Sequence, residues 1–159
     1  MKICIVSDTS SLIILSKLDQ LVLLENLFSK VLIPQRVEQE LQAKEDGVYK
    51  KINSHSLFEV VKSQNNEELA ILDGILDYGE AEAIVLARER QLILLIDEKK
   101  GRKIAKGMGI SIIGFLGVLL VNYRHKTLKK DEIDDILFHA DQLGFRLSKK
   151  LKQDFFNQL

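Results

Sequence analysis

The chain has 159 residues, 46% of them hydrophobic and 29% charged, so it is long enough for one well-buried domain but not comfortably for two. Lysine plus arginine equals aspartate plus glutamate, 23 against 23, which excludes a global charge that would indicate nucleic acid or a membrane as partner. The single cysteine, Cys4, excludes a disulfide scaffold. Because no apolar run could span a bilayer and no signal-peptide cleavage site is evident, we expect a cytoplasmic protein without a membrane segment.

The first half of the chain opens on a short apolar run, Ile3–Val6, which predicts a strand buried on both faces. Five small polar residues, Ser7–Ser11, predict the end of that strand and the start of a helix. The patterns that follow predict, in chain order, helices at 12–18 and 21–28, a strand at 31–33, a helix from Pro34 through Glu40 to about Gly47, a strand at 57–61 and a helix at 67–76.

The second half begins with Tyr78-Gly79, which predicts a break before an alanine-rich helix that opens with Glu80 and Glu82. The later patterns predict a buried strand at 92–96, a basic helix at 99–106, a strand at 111–113, an apolar helix at 114–123 and two amphipathic helices in a tail at 128–159, broken at Gly144. Because strands alternate with helices, we expect a single α/β domain over residues 1–159, with a mostly parallel sheet and the tail as a helical extension.

Two aspartates occupy equivalent places, since Asp8 and Asp97 are each the first acidic residue after a buried strand. If those strands are neighbours, both carboxylates converge on the sheet edge where open α/β folds bind ligands. Glu80 and Glu40 lie on helices that could reach the same edge. Four carboxylates in one cleft would repel one another unless cations neutralised them, and oxygen ligands suit Mg²⁺ or Mn²⁺. Ser10 could bind a metal-coordinated water or a phosphate oxygen.

Each acid also has an ordinary structural interpretation. Asp8 and Asp97 are residue types that cap helices, Glu40 could be a solvated helix residue, and Glu80 with Glu82 could complement a helix dipole. The spacing alone therefore leaves helix capping and metal binding both open.

Four motifs in order carry a family resemblance: the strand followed by Asp8-Thr9-Ser10-Ser11, the Pro34–Leu41 helix, residues 79–84 (GEAEAI) and residues 95–98 (LIDE). Together with a last helix that begins at Gly114, they resemble the PIN-domain family and, more narrowly, its prokaryotic branch near the VapC-type toxins of toxin–antitoxin systems. The resemblance implies a three-layer α/β/α fold with a central, mostly parallel sheet. It also implies an endoribonuclease that depends on Mg²⁺ or Mn²⁺.

Carried over by position, the resemblance implies that Asp8, Glu40, Glu80 and Asp97 are the catalytic, metal-binding acids and that Ser10 supports the first of them. The third acid is often aspartate in such toxins, and here Glu82 is close enough in sequence to share or replace the role of Glu80. The resemblance further implies a homodimer and a small antitoxin protein that blocks the cleft.

Basic residues that directly follow Asp97 are candidates for contacts with RNA phosphates, although a solvated helix face explains them equally well. They are Lys99, Lys100, Arg102 and Lys103. Aromatic residues make up 6% of the chain and none interleaves the basic runs, so the sequence does not predict a platform for base stacking.

Two alternatives to a nuclease stay open. A Mg²⁺-dependent phosphatase of haloacid-dehalogenase type also uses an aspartate after a first parallel strand, but it needs a second aspartate where this chain has Ser10. A binding module that kept the fold and lost turnover belongs to a different class, and the presence of all four acids argues against it.

Overall fold

The sheet of this protein is parallel throughout and has helices on both faces, in a computed structural model that describes residues 2–159. Its strands, in chain order, are β1 (Ile3–Ser7), β2 (Phe28–Pro34), β3 (Phe58–Val61), β4 (Ile93–Leu95) and β5 (Ile112–Ile113). Their order across the sheet is β3-β2-β1-β4-β5, and every neighbouring pair runs parallel. The predicted three-layer α/β/α fold is confirmed.

Helices lie between all successive strands, as the predicted alternation requires, and three more follow β5. They are α1 (Thr9–Lys17), α2 (Val22–Leu27), α3 (Gln35–Ala43), α4 (Val48–Asn53), α5 (Asn66–Asp73), α6 (Tyr78–Arg90), α7 (Lys99–Gly107), α8 (Phe115–Arg124), α9 (Lys130–Gln142) and α10 (Lys149–Phe156).

The central strand β1 shows why the sheet is buried on both sides. Ile5 packs into a core shared with α1–α4 and α8–α10, whereas Val6 packs into a second core shared with α5, α6 and α7. Successive side chains of a strand point to opposite faces, so a continuous apolar run supplies both cores at once. Val6 lies opposite Leu32 of β2 and Leu94 of β4, which places β1 between the strands that carry the rest of the core.

The tail is part of the first core. Ile133 and Ile136 of α9 and Phe155 of α10 are buried in the cluster that also contains Leu15. The break between the two tail helices falls at Gly144, whose φ of +90° suits glycine, as the sequence predicts.

Two local predictions were wrong. The helix that follows Pro34 ends at Ala43 rather than near Gly47, and a separate short helix, α4, follows because Gly47 turns the chain with a φ of +82°. Tyr78 and Gly79 do not interrupt the chain before a helix but form the first turn of α6, which Asp77 precedes in extended conformation. Within residues 2–159, no helix combines the length and apolar character needed to cross a bilayer.

Candidate functional site

The strands that precede Asp8 and Asp97 are neighbours, which is the arrangement that the predicted site requires. Asp8 directly follows β1 and precedes α1. Its backbone N–H donates a hydrogen bond to the carbonyl oxygen of Leu95, the last residue of β4, over 3.0 Å. Asp97 lies two residues beyond Leu95, after the end of β4. Both acids therefore leave the sheet at the same carboxyl edge.

Hydroxyl groups in the first turn of α1 hold two of the other acids. Thr9 Oγ1 donates to Glu40 Oε1 over 2.9 Å, and Ser11 Oγ donates to Asp97 Oδ2 over 2.7 Å. The other oxygen of Asp97 accepts the backbone N–H of Phe115 at the start of α8, over 2.9 Å. One helical turn thus connects acids from three separate parts of the chain. Ser10, the predicted supporting residue, lies between these two donors and is exposed to solvent.

Glycines let two of the acids approach the backbone of neighbouring helices. A Cβ atom on Gly79 would overlap the carboxylate of Glu40 and lie 3.2 Å from Thr9 Oγ1. A Cβ atom on Gly101 would lie 2.6 Å from Glu80 Oε2. Glu40 therefore packs on the first turn of α6, and Glu80 packs on the first turn of α7.

The buried acids affect one another's protonation. Burial raises the pKa of Asp8 to about 6, with the negative charges of Glu40 and Asp97 adding to the effect and a hydrogen bond from the Thr9 backbone opposing it. Burial likewise raises the pKa of Glu80 to about 8, and the charges of Asp8 and Glu98 contribute. These effects require the carboxyl groups to be close together in a poorly solvated cleft.

Glu82 has a different environment from Glu80. Its side chain is buried, and its carboxylate accepts hydrogen bonds from the Arg36 N–H over 2.8 Å and from the Ser63 N–H and hydroxyl over 3.2 and 2.9 Å. These bonds join α6 to the segments that follow β2 and β3. Glu82 therefore satisfies polar groups of the fold, whereas Glu80 faces Asp8.

The chemistry of the donor set fits a hard divalent cation. Among residues 2–159, no ion pair joins Asp8, Glu40, Glu80 or Asp97 to a lysine, arginine or histidine. The same residues contain no group of three acidic, histidine or cysteine side chains arranged to chelate one ion. Mg²⁺ is commonly bound through one or two carboxylates and keeps several waters, so such an ion does not need three protein ligands.

The predicted basic segment borders the acids. Lys99, Lys100 and Lys103 are exposed on α7, which begins two residues after Asp97. Arg102 donates from Nη1 to the carbonyl oxygen of Ile96 over 2.7 Å, so its guanidinium lies at the sheet edge as well. The first half of α7 therefore carries four cationic residues within six positions of Asp97.

Sequence reasoning missed four residues that shape this cleft: Thr9, Ser11, Asp77 and Glu98. A signal was available for Ser11, which lies one helical turn before the buried Leu15 and so on the inward face of α1. Glu98 caps α7 by accepting the Gly101 N–H over 2.8 Å. Asp77 adds negative charge near both Asp8 and Glu80, although it is itself exposed.

A family model described as a PIN domain matches residues 4–159, which is almost the whole chain. The chain therefore belongs to the PIN-domain family, whose members are generally nucleases that act on nucleic acid and typically use divalent metals. A sequence comparison with curated proteins finds no match. The predicted family is thus confirmed.

Proposed function

We propose that this protein is an endoribonuclease that depends on Mg²⁺ or Mn²⁺ and hydrolyses RNA phosphodiester bonds. The observation that carries the proposal is the buried carboxyl group of Asp8, only 4% exposed, with Glu40, Glu80 and Asp97 around it and no cationic side chain paired with any of them among the described residues. Isolated buried charge is costly, so this arrangement favours a cation supplied from solution.

Each acid has a part in this proposal. Asp8 and Asp97, at the ends of adjacent strands, would hold the ion at the sheet edge, and Glu80 and Glu40 would complete the negative wall of the cleft. Glu82 is left out because its carboxylate already accepts three hydrogen bonds. A bound Mg²⁺ or Mn²⁺ would activate water and stabilise the negative charge of the scissile phosphate.

Two hydroxyl groups have a positioning role. Thr9 and Ser11 donate to Glu40 and Asp97 and so fix carboxylate oxygens without neutralising their charge. A lysine or arginine in the same places would compete with the metal ion. Ser10, which is exposed between them, would be free to reach a coordinated water or a phosphate oxygen.

RNA would lie along the basic side of the cleft. Lys99, Lys100 and Lys103 are exposed on α7, and Arg102 borders the sheet edge, so phosphates on that side of the cleaved bond would have cationic partners. Raising the salt concentration should weaken RNA binding by the native protein more than by a Lys99→Ala/Lys100→Ala variant. Equal salt dependence of RNA binding in the two proteins would show that α7 does not contact the RNA.

The proposal extends to a toxin role in the cytoplasm, with a homodimer and a small antitoxin partner. The acids, which have no cationic partner among the described residues, support this role because a basic side chain from an antitoxin could form ion pairs with them. Growth arrest on expression of the native chain, and no arrest with Asp8→Asn, would agree with a toxin. Normal growth with equal amounts of either protein would contradict it.

The decisive experiment is cleavage of a mixed RNA pool with Mg²⁺, with Mn²⁺ and with EDTA, by the native protein and by Asp8→Asn and Asp97→Asn. A matched control is Asp134→Asn, the same substitution at an exposed position on α9. We expect cleavage to be lost in EDTA and in both site variants and to be unchanged in the control. Calorimetric titration with Mn²⁺ in the absence of RNA should show the same pattern.

Two outcomes would contradict the proposal. Cleavage that survives both site variants would place the activity elsewhere or in a contaminant. Metal or RNA binding without any cleavage would instead favour a binding module that has lost turnover. A parallel pool of single-stranded DNA tests the choice of RNA as substrate.

A further inference from the structure

Tyr78 is an exposed aromatic residue that directly precedes the glycine packed against Glu40. It begins α6, two residues before Glu80, and is 50% exposed. The next residue, Gly79, is the one whose backbone touches the Glu40 carboxylate and Thr9. Tyr78 therefore adjoins the Glu40 side of the cleft through its chain neighbour Gly79, and its ring packs on α3 beside Glu40, at Arg36 and Gln39.

The ring of Tyr78 is held from one side. The guanidinium carbon of Arg36 lies 4.1 Å from the ring centroid, and the Tyr78 hydroxyl donates to Gln39 Oε1 over 2.9 Å. Arg36 is fixed in turn, because it donates to both carboxylate oxygens of Asp73 and to the carbonyl oxygen of Tyr78. The ring orientation is thus set before any ligand arrives, which lowers the entropy lost on binding.

The second face of the ring is the available one. Arg36 covers one face and the residue as a whole is 50% exposed, so a flat ligand would approach from the opposite face. A flat aromatic face with a cation behind it suits another flat π system. Such a surface beside a phosphate-binding cleft suits a nucleobase, because every base offers a π face.

We infer that Tyr78 stacks on one base of the bound RNA strand, next to the scissile phosphate that a cation at the acids would contact. This inference rests on the proposed function and assigns it a substrate-binding residue. The strand would place a base on Tyr78 at the Glu40 side of the cleft and phosphates on the lysines of α7 at the Glu80 side. Tyr78 is a binding residue and takes no part in the chemical step.

The test measures binding of a short, fluorescently labelled, single-stranded oligoribonucleotide in Ca²⁺ by anisotropy, and KM with kcat in Mg²⁺. The variants are Tyr78→Ala, Tyr78→Leu, which keeps apolar bulk, and Tyr78→Phe, which keeps the ring but loses the bond to Gln39. The control is Phe138→Ala, another exposed aromatic residue, on α9. A series of oligonucleotides carries one abasic site at each position in turn.

We expect Tyr78→Ala to raise Kd and KM by about 5- to 100-fold, the usual range for the loss of one base–aromatic stack, with little change in kcat. Tyr78→Leu should bind nearly as weakly as Tyr78→Ala. Tyr78→Phe, which keeps the ring and loses only the bond to Gln39, should bind more tightly than Tyr78→Leu, and Phe138→Ala should bind as the native protein does. At one position the abasic oligonucleotide should bind the native protein and Tyr78→Ala equally. A purely structural role for Tyr78 would not produce that equality.

Other results overturn the inference. Native affinity in Tyr78→Ala, or a loss that persists equally at every abasic position, would show that the ring does not stack on a base. If the native protein cleaves RNA while either result holds, the proposed function stands and only the stacking fails. If the native protein neither binds nor cleaves RNA, both fail together. Equal binding of DNA with the same sequence would agree with stacking on Tyr78 and would extend the bound nucleic acid from RNA to DNA.

Discussion

At Asp8, the stability of the fold favours a protonated carboxyl group, whereas the candidate metal site needs the charged carboxylate. This carboxyl group is buried among other acids, so the folded protein holds a proton there more tightly than the unfolded chain does. When that proton leaves, the folded state carries a buried charge that burial and neighbouring acids both disfavour. The metal-free protein should therefore be less stable at alkaline than at acidic pH across this range.

The sign of the pH effect follows from the direction of the shift. Because the pKa of Asp8 is raised from 3.8 to about 6, the unfolded state binds fewer protons between these values, and the free energy of unfolding falls as pH rises. The raised pKa of Glu80, about 8, extends this fall towards pH 8. In EDTA, Asp8→Asn should be more stable than the native protein by up to about 3 kcal/mol near pH 8 and by much less near pH 4.5.

Urea unfolding at the two pH values measures this difference, with Asp134→Asn as the exposed control. Mg²⁺ should stabilise the native protein near pH 8 and have a smaller effect on Asp8→Asn, because a ligand that binds only the folded state adds to its stability. An Asp8→Asn variant that is less stable than the native protein at both pH values would contradict the buried-charge account.

Glu80 and Glu82 should respond differently to the same substitution. Glu80→Gln removes a carboxyl group that a bound cation would keep ionised, so RNA cleavage should be lost without a loss of stability near pH 8. Glu82→Gln turns one acceptor into a donor that faces the Arg36 and Ser63 donors, which should cost about 1–3 kcal/mol. Activity per folded molecule should survive in Glu82→Gln. Urea unfolding and RNA cleavage, measured on the same samples, distinguish the two variants. Lost stability in Glu80→Gln together with lost cleavage in Glu82→Gln would show that the roles of the two residues are exchanged.

At the scale of elements, the first turn of α6 and the first turn of α1 form one unit around Glu40. Thr9 donates to this carboxylate from one side, and the backbone at Gly79 supports it from the other. A glycine inside a helix ordinarily lowers stability, so its presence here is explained by the close approach of the carboxylate.

Gly79→Ala should change RNA cleavage more than it changes the free energy of unfolding. The added methyl group would overlap the Glu40 carboxylate and push it away from Thr9, so cleavage should fall by about 10- to 100-fold. Gly107→Ala, with no atom within 4 Å of the new methyl group, is the matched control on α7. Activity equal to that of the native protein in Gly79→Ala, measured on RNA under saturating metal, would remove Glu40 from the site.

The order of strands and helices was predictable because it follows from hydrophobic periodicity and from the glycine, proline and small polar residues at the ends of elements. Buried runs at Ile3–Val6 and 92–96 predicted the two strands whose ends approach each other, and Asp8 and Asp97 followed as candidates. Tertiary contacts were not predictable in the same way. Nothing in the local spacing shows that Glu82 meets Ser63 or that Gly79 meets Glu40, because those partners lie on other elements.

At the scale of the whole molecule, the tail is connected to the site through one aromatic pair. Phe145, between α9 and α10, packs edge-on against Phe115 with ring centroids 5.0 Å apart. The backbone N–H of Phe115 is the group that holds Asp97. We therefore propose that residues 128–159 fold with the rest of the chain as one unit and do not form a separable appendage.

Removal of residues 128–159 should abolish cooperative folding. The deletion removes Phe145 from its contact with Phe115 and removes Ile133, Ile136 and Phe155 from the first core. Circular dichroism during thermal unfolding should show a broad, non-cooperative transition for the shortened chain. Phe138→Ala, at a side chain 62% exposed on the same tail, should leave the transition almost unchanged. A shortened chain that melts as sharply and as late as the full one would show that the tail is dispensable.

The hydrogen bond between Ser11 and Asp97 joins residues 86 positions apart. A ribosome delivers Ser11 long before Asp97, and Asp97 in turn before the N–H of Phe115 that fixes it. A nascent chain therefore carries Asp8 for most of its synthesis without the geometry that surrounds it in the finished molecule. The candidate site can form only after β4 and the start of α8 have been synthesised. Under the proposed function, the messenger that encodes this protein would therefore not be exposed to an active site during most of its own translation.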